Sequence, residues 1–276
     1  MSIWLDYREH KTNHTVEGDL RLLEGVWSPQ LRNHRDILVY LPRSYAAAPE
    51  RRYPVLFMHD GQNLFDAHTS FSGEWGVDKT KEALGQEGIE AIVVGIPNMG
   101  EQRLAEYSPF NERRIGAARG DSYVRFILET LKPLVDRDFR TRPEREATGI
   151  MGSSMGGLIS LYAFFAYPEA FGMVAALSPS LWFAQRAMLA YAAAAPYVPG
   201  SIYLDVGSEE GQPTVRNTRD LHRLLLDKGY RENRDLLYVE DEGAGHSEHC
   251  WANRLWLPLL FLLHDLCLGP GHPLAV

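Results

Sequence analysis

Ser154 stands at the centre of Gly152-Ser153-Ser154-Met155-Gly156, between the apolar run Thr148-Gly149-Ile150-Met151 and a segment of helical spacing, Gly157 to Ala166. A G-x-S-x-G that ends a strand and opens a helix forms a sharp turn. Small residues two places before and after the serine let strand and helix approach, and the turn lifts the hydroxyl above the sheet. The chemistry available there is nucleophilic attack on a carbonyl. Free N–H groups and the positive end of the helix dipole favour the oxyanion that results. The competing reading is an ordinary glycine-rich connection, and the order strand, motif, helix weighs against it.

A serine hydroxyl needs a base, and a base needs an orienting acid, following the nucleophile in the order serine, acid, histidine in this kind of fold. Downstream histidines are His222, His246, His249, His264 and His272. His222 and His264 fall inside expected helices. His246 lies in the loop Glu242-Gly243-Ala244-Gly245-His246-Ser247-Glu248, after the apolar run Leu236 to Val239, where a ring can reach the catalytic edge; His249 is the second choice. His246-x-x-His249-Cys250 offers two imidazoles and one thiol, short of a zinc ligand set, so no metal is expected. The acid is sought after the apolar run Ile202 to Val206, at Gly207-Ser208-Glu209-Glu210-Gly211. Glu210 is the choice, with Glu209 and Asp205 in competition. The second oxyanion donor belongs to a loop after an early strand, here Met58-His59-Asp60-Gly61-Gln62-Asn63, which assigns the backbone N–H groups of Gln62 and Met155. His59 and Asp60 are read as a hydrogen-bonded pair bracing that loop. Trp75, Tyr107, Trp182, Phe183 and Trp251, with Arg103 and Glu106, are candidates to line an acyl or sugar pocket, against the alternative that the aromatics are core. Of these, Trp251 is read as structural, and Trp75, Arg103 and Trp182 are taken as substrate-binding.

The elements that must hold these groups are short. Leu20 to Leu23 and Ile37 to Leu41, joined through Ser28-Pro29 and Arg32-Asn33, read as an antiparallel hairpin. Val55 to Met58, Ala91 to Ile96, Thr148 to Met151, Met173 to Leu177 and Ile202 to Val206 are apolar runs of the kind buried on both faces of a parallel sheet. Helical spacing covers Tyr123 to Arg137, Gly157 to Ala166 and Thr218 to Lys228. The alternation predicts an α/β fold, a mostly parallel central sheet with helices on both faces, in one domain over residues 1–276.

Composition narrows the partners. With 36 acidic against 28 basic residues the net charge is −8, which gives no basic face for nucleic acid or an anionic membrane. A small-molecule ester is the expected partner. Leu255 to Leu263 is far short of the roughly 20 residues that span a bilayer and reads as a buried helix. Cys250 and Cys267 are taken as free thiols. The first ten residues lack the basic start and apolar core of a signal peptide, so the expected location is the cytoplasm. A homo-oligomer and a monomer are equally compatible with the sequence.

Together, Met58-His59-Asp60-Gly61-Gln62-Asn63-Leu64-Phe65-Asp66, Gly152-Ser153-Ser154-Met155-Gly156-Gly157, Ser178-Pro179-Ser180-Leu181-Trp182 and Gly245-His246-Ser247-Glu248-x-x-Trp251 resemble an esterase family of α/β-hydrolases. It includes esterase D, feruloyl esterases, enterochelin esterase-type siderophore hydrolases and mycolyltransferases. The resemblance runs from about Val39 to about Leu263. It implies an α/β-hydrolase fold and a serine carboxylic-ester hydrolase with Ser154, Glu210 and His246 as its triad, Gln62 and Met155 at the oxyanion, and no cofactor. It also favours Glu210 over its competitors, because a carboxylate three positions after a strand-end glycine matches the family pattern. No N-terminal binding module of the siderophore-esterase sort is recognisable, so iron-chelate esters are not favoured; siderophore, feruloyl and acetyl-sugar esters stand as alternatives for the specific activity. The rivals are an acyltransferase using the same triad and a non-catalytic binding protein on the same fold.

Overall fold

The structure is a computed structural model and describes residues 2–113 and 116–269. Three N-terminal strands, β1 (Leu5–Asp6), β2 (Asp19–Ser28) and β3 (Asn33–Leu41), pair antiparallel, and the expected hairpin is β2 with β3. The apolar runs become β4 (Val55–His59), β5 (Ile92–Ile96), β6 (Thr148–Ser153), β7 (Met173–Leu177), β8 (Ser201–Gly207) and β9 (Leu236–Asp241). All nine strands share one sheet in the order β1-β2-β3-β5-β4-β6-β7-β8-β9. Pairing is parallel from β5 through β9 and antiparallel where β3 meets β5. The fold is the expected mostly parallel α/β arrangement with an antiparallel N-terminal edge.

Runs without polar alternation became strands because both faces are covered. β4, β5, β6 and β7 are buried at every position. The helices in chain order are α1 (Tyr7–His10), α2 (Val77–Gln86), α3 (Arg103–Glu106), α4 (Gly120–Phe126), α5 (Lys132–Asp138), α6 (Met155–Ala166), α7 (Phe183–Ala194), α8 (Gln212–Asp227), α9 (Glu248–Arg254) and α10 (Trp256–Leu268). Alternate residues of each strand serve opposite layers, as a pleated backbone requires. Val55, Phe57, Ile150 and Val174 pack with residues of α4 to α8, whereas Leu56, Met58, Met151 and Ala175 pack with residues of α2 and α10.

Three helices differ from the sequence reading. The helix expected over Tyr123 to Arg137 is α4 and α5 joined by a π-helical turn, Ile127–Leu131. Pro133 just beyond it has no N–H to give and crowds the carbonyl four residues back, so the ladder widens there. α8 begins six residues earlier than its apolar spacing suggested, with Pro213 in the first turn, where a missing N–H costs nothing. α7 departs further: Ala184, Gln185 and Arg186 are wound left-handed (φ 46°, 56° and 67°), although none is glycine.

The loop after β4 lies against the end of β5. A Cβ on Gly61 would meet Gly95 C, Ile96 N and Pro97 N, each at 2.7 Å, so no side chain fits without moving backbone. Gly61→Ala is therefore expected to lower stability by about 1–3 kcal/mol, read as a reduced urea midpoint at unchanged m-value.

Candidate active site

β6 ends at Ser153, and Ser154 turns the chain into α6 with φ 57° and ψ −119°. A non-glycine residue in this region is strained, and strain persists where the surroundings impose it. Here Ser154 N–H donates to Leu177 O (2.9 Å) and Ser154 O accepts from Ser180 N–H (3.0 Å), so the end of β7 holds the turn from both sides. Gly152 is required because a Cβ there would lie 2.9 Å from His59 Cδ2 and 3.1 Å from Gly156 C. The Ser154 hydroxyl is left facing His246 Nε2 at 3.0 Å and Ser180 Oγ at 3.1 Å.

His246 reaches it from the loop after β9. Ser247 caps α9 by accepting from Cys250 N–H, which places the imidazole one residue before a rigid helix. Its Nδ1 lies 2.7 Å from Glu210 Oε2, and the Trp251 ring meets it edge-on with centroids 4.9 Å apart. The Glu210 side chain is fully buried. Its other oxygen, Oε1, accepts from Gly207 N–H (2.8 Å) and from the Ser178 hydroxyl. Burial alone would raise the Glu210 pKa, but the bonds from His246, Ser178 and Gly207 outweigh it and hold the carboxyl below its ordinary value. The row Ser154, His246, Glu210 is thus hydrogen-bonded end to end.

The competing acids have other surroundings. Glu209 is exposed. Asp205 is fully buried and bonded to Arg254 Nε (2.8 Å) and Nη2 (2.9 Å), Ser178 N–H (2.9 Å) and Tyr203 hydroxyl (3.0 Å). Burial is the dominant influence on Asp205 and pushes its carboxyl above the ordinary value despite those partners. Arg254 also donates to Ser178 Oγ (2.9 Å) and Asp241 (3.1 Å). Trp251 Nε1–H donates to Ser178 Oγ as well (2.9 Å). Trp251 and Arg254 lie three residues apart on α9, on one helical face, and so converge on one hydroxyl. Trp251 is consequently more than core, since it packs on His246 and lines the cleft.

His59 and Asp60 do not bond to each other as expected. His59 Nδ1 lies 2.8 Å from the Tyr123 hydroxyl, beneath the turn at Ser154, while Asp60 takes Arg103 Nε (2.7 Å), Arg103 Nη2 (2.8 Å) and Asn98 Nδ2 (2.6 Å). Burial opposes the charge on Asp60, but Arg103 and Asn98 prevail and lower its pKa. Full burial lowers His59 to about 3. His249 faces Asn253 (3.2 Å), and Cys250 Sγ accepts from Gly245 N–H (3.4 Å), so the groups of the His-x-x-His-Cys run each turn to a separate partner. Both described cysteines are free.

Two clefts meet at Ser154. The first, about 710 Å³, includes Gln62, Trp75, Arg103, His246 and Trp251 in its walls. The second, about 490 Å³, includes Arg103, Met155, Ser180, Trp182 and Phe183. Gln62 lines the first cleft and Met155 the second. Trp75 is buried in the wall of the first cleft, and Trp182 is exposed on the second. Tyr107 and Glu106 do not line either one: Tyr107 is fully buried beneath Asp60, and Glu106 is buried against Arg35 at 2.9 Å.

Two measurements follow. Arg254→Met strands the buried Asp205 carboxylate and is expected to cost about 3–5 kcal/mol in denaturant unfolding, with part recovered in Arg254→Met/Asp205→Asn. His59 binds a proton near pH 6.5 in the unfolded chain and only near 3 in the native one, so acidification between those values favours unfolding. The stability of the parent should therefore fall more steeply across that window than that of His59→Gln, measured as urea midpoints against pH.

Comparison with known proteins agrees with the architecture. The chain is 25% identical over 241 residues to the uncharacterised protein YbbA of Bacillus subtilis, covering 82% of this chain and 92% of that one. It is 27% identical over 169 residues to the ferri-bacillibactin esterase BesA of the same organism, covering 54% and 55%. The enterobactin esterase of Shigella flexneri superposes with a TM-score of 0.74 at 22% identity, covering 91% of this chain and 61% of that one. Among the described residues no helix is long and apolar enough to cross a membrane. The model of the family described as "Putative esterase" matches residues 28–261, and the chain belongs to that esterase family.

Proposed function

We propose that the protein is a serine carboxylic-ester hydrolase working through an acyl-enzyme on Ser154, and the observation that carries this reading is the unbroken row Ser154 Oγ, His246 Nε2 and Nδ1, Glu210 Oε2. His246 removes the proton as Ser154 Oγ attacks the ester carbonyl. Glu210 holds the ring with Nδ1 protonated, so that Nε2 is the accepting nitrogen, and offsets the positive charge the ring acquires. The carbonyl oxygen, now negative, is met by the backbone N–H groups of Gln62 and Met155. On collapse the bond from the acyl carbon to the alcohol oxygen breaks, and His246 returns its proton to that oxygen. Water then repeats the sequence on the acyl-enzyme, releasing the acid and restoring Ser154.

Water has access, since the His246 side chain is 40% exposed where the cleft opens. Hydrolysis of a small-molecule ester follows from that opening, with water as the acceptor of the acyl group.

Ser154→Ala is expected to reduce kcat for p-nitrophenyl acetate by at least about 10⁴-fold and to abolish labelling by a fluorophosphonate probe. Glu210→Gln should cost about 10⁴-fold in kcat with KM little changed, because it removes orientation and charge support rather than binding. A Ser154→Ala enzyme that retained the parental rate would sink the assignment.

A further inference from the structure

The run Ser178-Pro179-Ser180 follows β7 and sends its two hydroxyls to opposite ends of the catalytic row. The Ser178 hydroxyl is fully engaged: it donates to Glu210 Oε1 and accepts from Trp251 Nε1–H and Arg254 Nη2–H, both at 2.9 Å. Ser180 is 2% exposed, and its hydroxyl has one partner among the described residues, Ser154 Oγ at 3.1 Å. Its backbone N–H donates to the Ser154 carbonyl (3.0 Å) and its carbonyl accepts from Phe183 N–H (3.0 Å), so the residue is fixed against the turn that carries the nucleophile.

The hydrogen of that contact can be assigned. Glu210 is held ionised by its partners and only accepts, so Nδ1 of His246 carries the proton of the neutral ring and Nε2 is left as an acceptor. The Ser154 hydroxyl, 3.0 Å from Nε2, gives its hydrogen there. None remains for Ser180, so Ser180 Oγ–H is the donor and Ser154 Oγ the acceptor. At 3.1 Å this bond is longer than the usual O–H···O separation of about 2.7–2.8 Å. A hydroxyl bonded to an ionised oxygen draws in to about 2.5–2.7 Å and roughly doubles in strength. The contact is thus weak toward the resting hydroxyl and strong toward an oxygen that bears charge, and only such a difference accelerates a reaction.

Resting on the serine esterase reading, we propose that Ser180 is a further catalytic residue, whose hydroxyl donates to Ser154 Oγ while negative charge builds on that atom. It serves twice in each turnover. In acylation the Ser154 O–H bond breaks, the proton passes to His246 Nε2, and the electron pair left on Oγ forms the bond to the acyl carbon; Ser180 supports that pair as the bond is made. In deacylation the bond from the acyl carbon to Oγ breaks, the pair returns to Oγ, and His246 gives back a proton; Ser180 donates to the departing oxygen. Ser180 keeps its own proton throughout. Its action falls on the nucleophile's oxygen, whereas the N–H groups of Gln62 and Met155 act on the carbonyl oxygen of the substrate.

Ser180→Ala removes the donor and leaves both backbone bonds in place. With p-nitrophenyl acetate, nitrophenolate release under excess enzyme reads acylation, and acetate release from the isolated acetyl-enzyme reads deacylation. Both rate constants should fall by roughly 10- to 100-fold, the loss expected for one hydrogen bond to a charged oxygen, while the enzyme concentration that half-saturates acylation stays unchanged. Ser180→Thr and Ser180→Val share one shape, with and without a hydroxyl, and the threonine variant should exceed the valine variant in both steps. Rates in Ser180→Ala within about twofold of the parent overturn the proposal, as does a threonine variant no faster than the valine one or a loss confined to one of the two steps. Those results leave Ser154 as the nucleophile, whereas parental turnover in Ser154→Ala overturns that assignment itself.

Discussion

The buried guanidinium of Arg254 ties together the ends of two strands and the loop that carries Glu210. It meets Asp205 twice, Asp241 once and the Ser178 hydroxyl, and it lies 3.8 Å from Glu210. Three carboxylates thus converge around one arginine, and the neighbourhood keeps a net negative charge beside His246. In the proposed mechanism Glu210, 2.7 Å from His246 Nδ1, supports the positive charge that the ring takes up during acyl transfer. The expense of burying so many charges is met by near-complete hydrogen bonding, the condition under which buried ionic groups are tolerated.

The serine is supported by different physics. Its backbone is held in a strained conformation by neutral groups: the carbonyl of Leu177, the N–H of Ser180 and, below, the imidazole of His59, which full burial keeps uncharged at neutral pH. An uncharged base under the turn avoids placing a cation where the helix already directs positive dipole. The turn itself thus relies on packing and backbone bonds, with the Asp60–Arg103 ion pair beside it.

How much of this could be read from the sequence depended on the range of the contacts. The turn at Ser154 is local, so glycine spacing between a strand and a helix was enough to find it. The parallel strands were legible because burial on both faces leaves unbroken apolar runs. Glu210 could be placed after its strand, but its separation from Asp205 required Arg254, which lies 49 residues from Asp205 and reads in sequence as an ordinary polar residue of a short helix. Ser178 was visible only as part of a family-like motif. Its role as the meeting point of Glu210, Trp251 and Arg254 arises from contacts spanning 32 to 76 residues. The left-handed turn at Ala184 to Arg186 has neither glycine nor asparagine to announce it, and tertiary context overrode the local preference.

The two clefts draw on different parts of the chain except for the segment after β5, which serves both. Loops after β4, β5 and β9 make the first, whereas the segment after β7 with the opening of α7 makes half of the second and the segment after β5 adds Arg103, Leu104 and Glu112 to it. Substitutions in the loops after β4 and β9 can therefore accumulate without altering the walls of the second cleft, and those at the opening of α7 without altering the walls of the first. Arg103 is the exception among the wall residues other than Ser154, because it borders both clefts while its guanidinium is committed to Asp60. A change at that position alters both clefts at once and releases the Asp60 carboxylate, so it forms a point of evolutionary constraint between two regions with otherwise different walls.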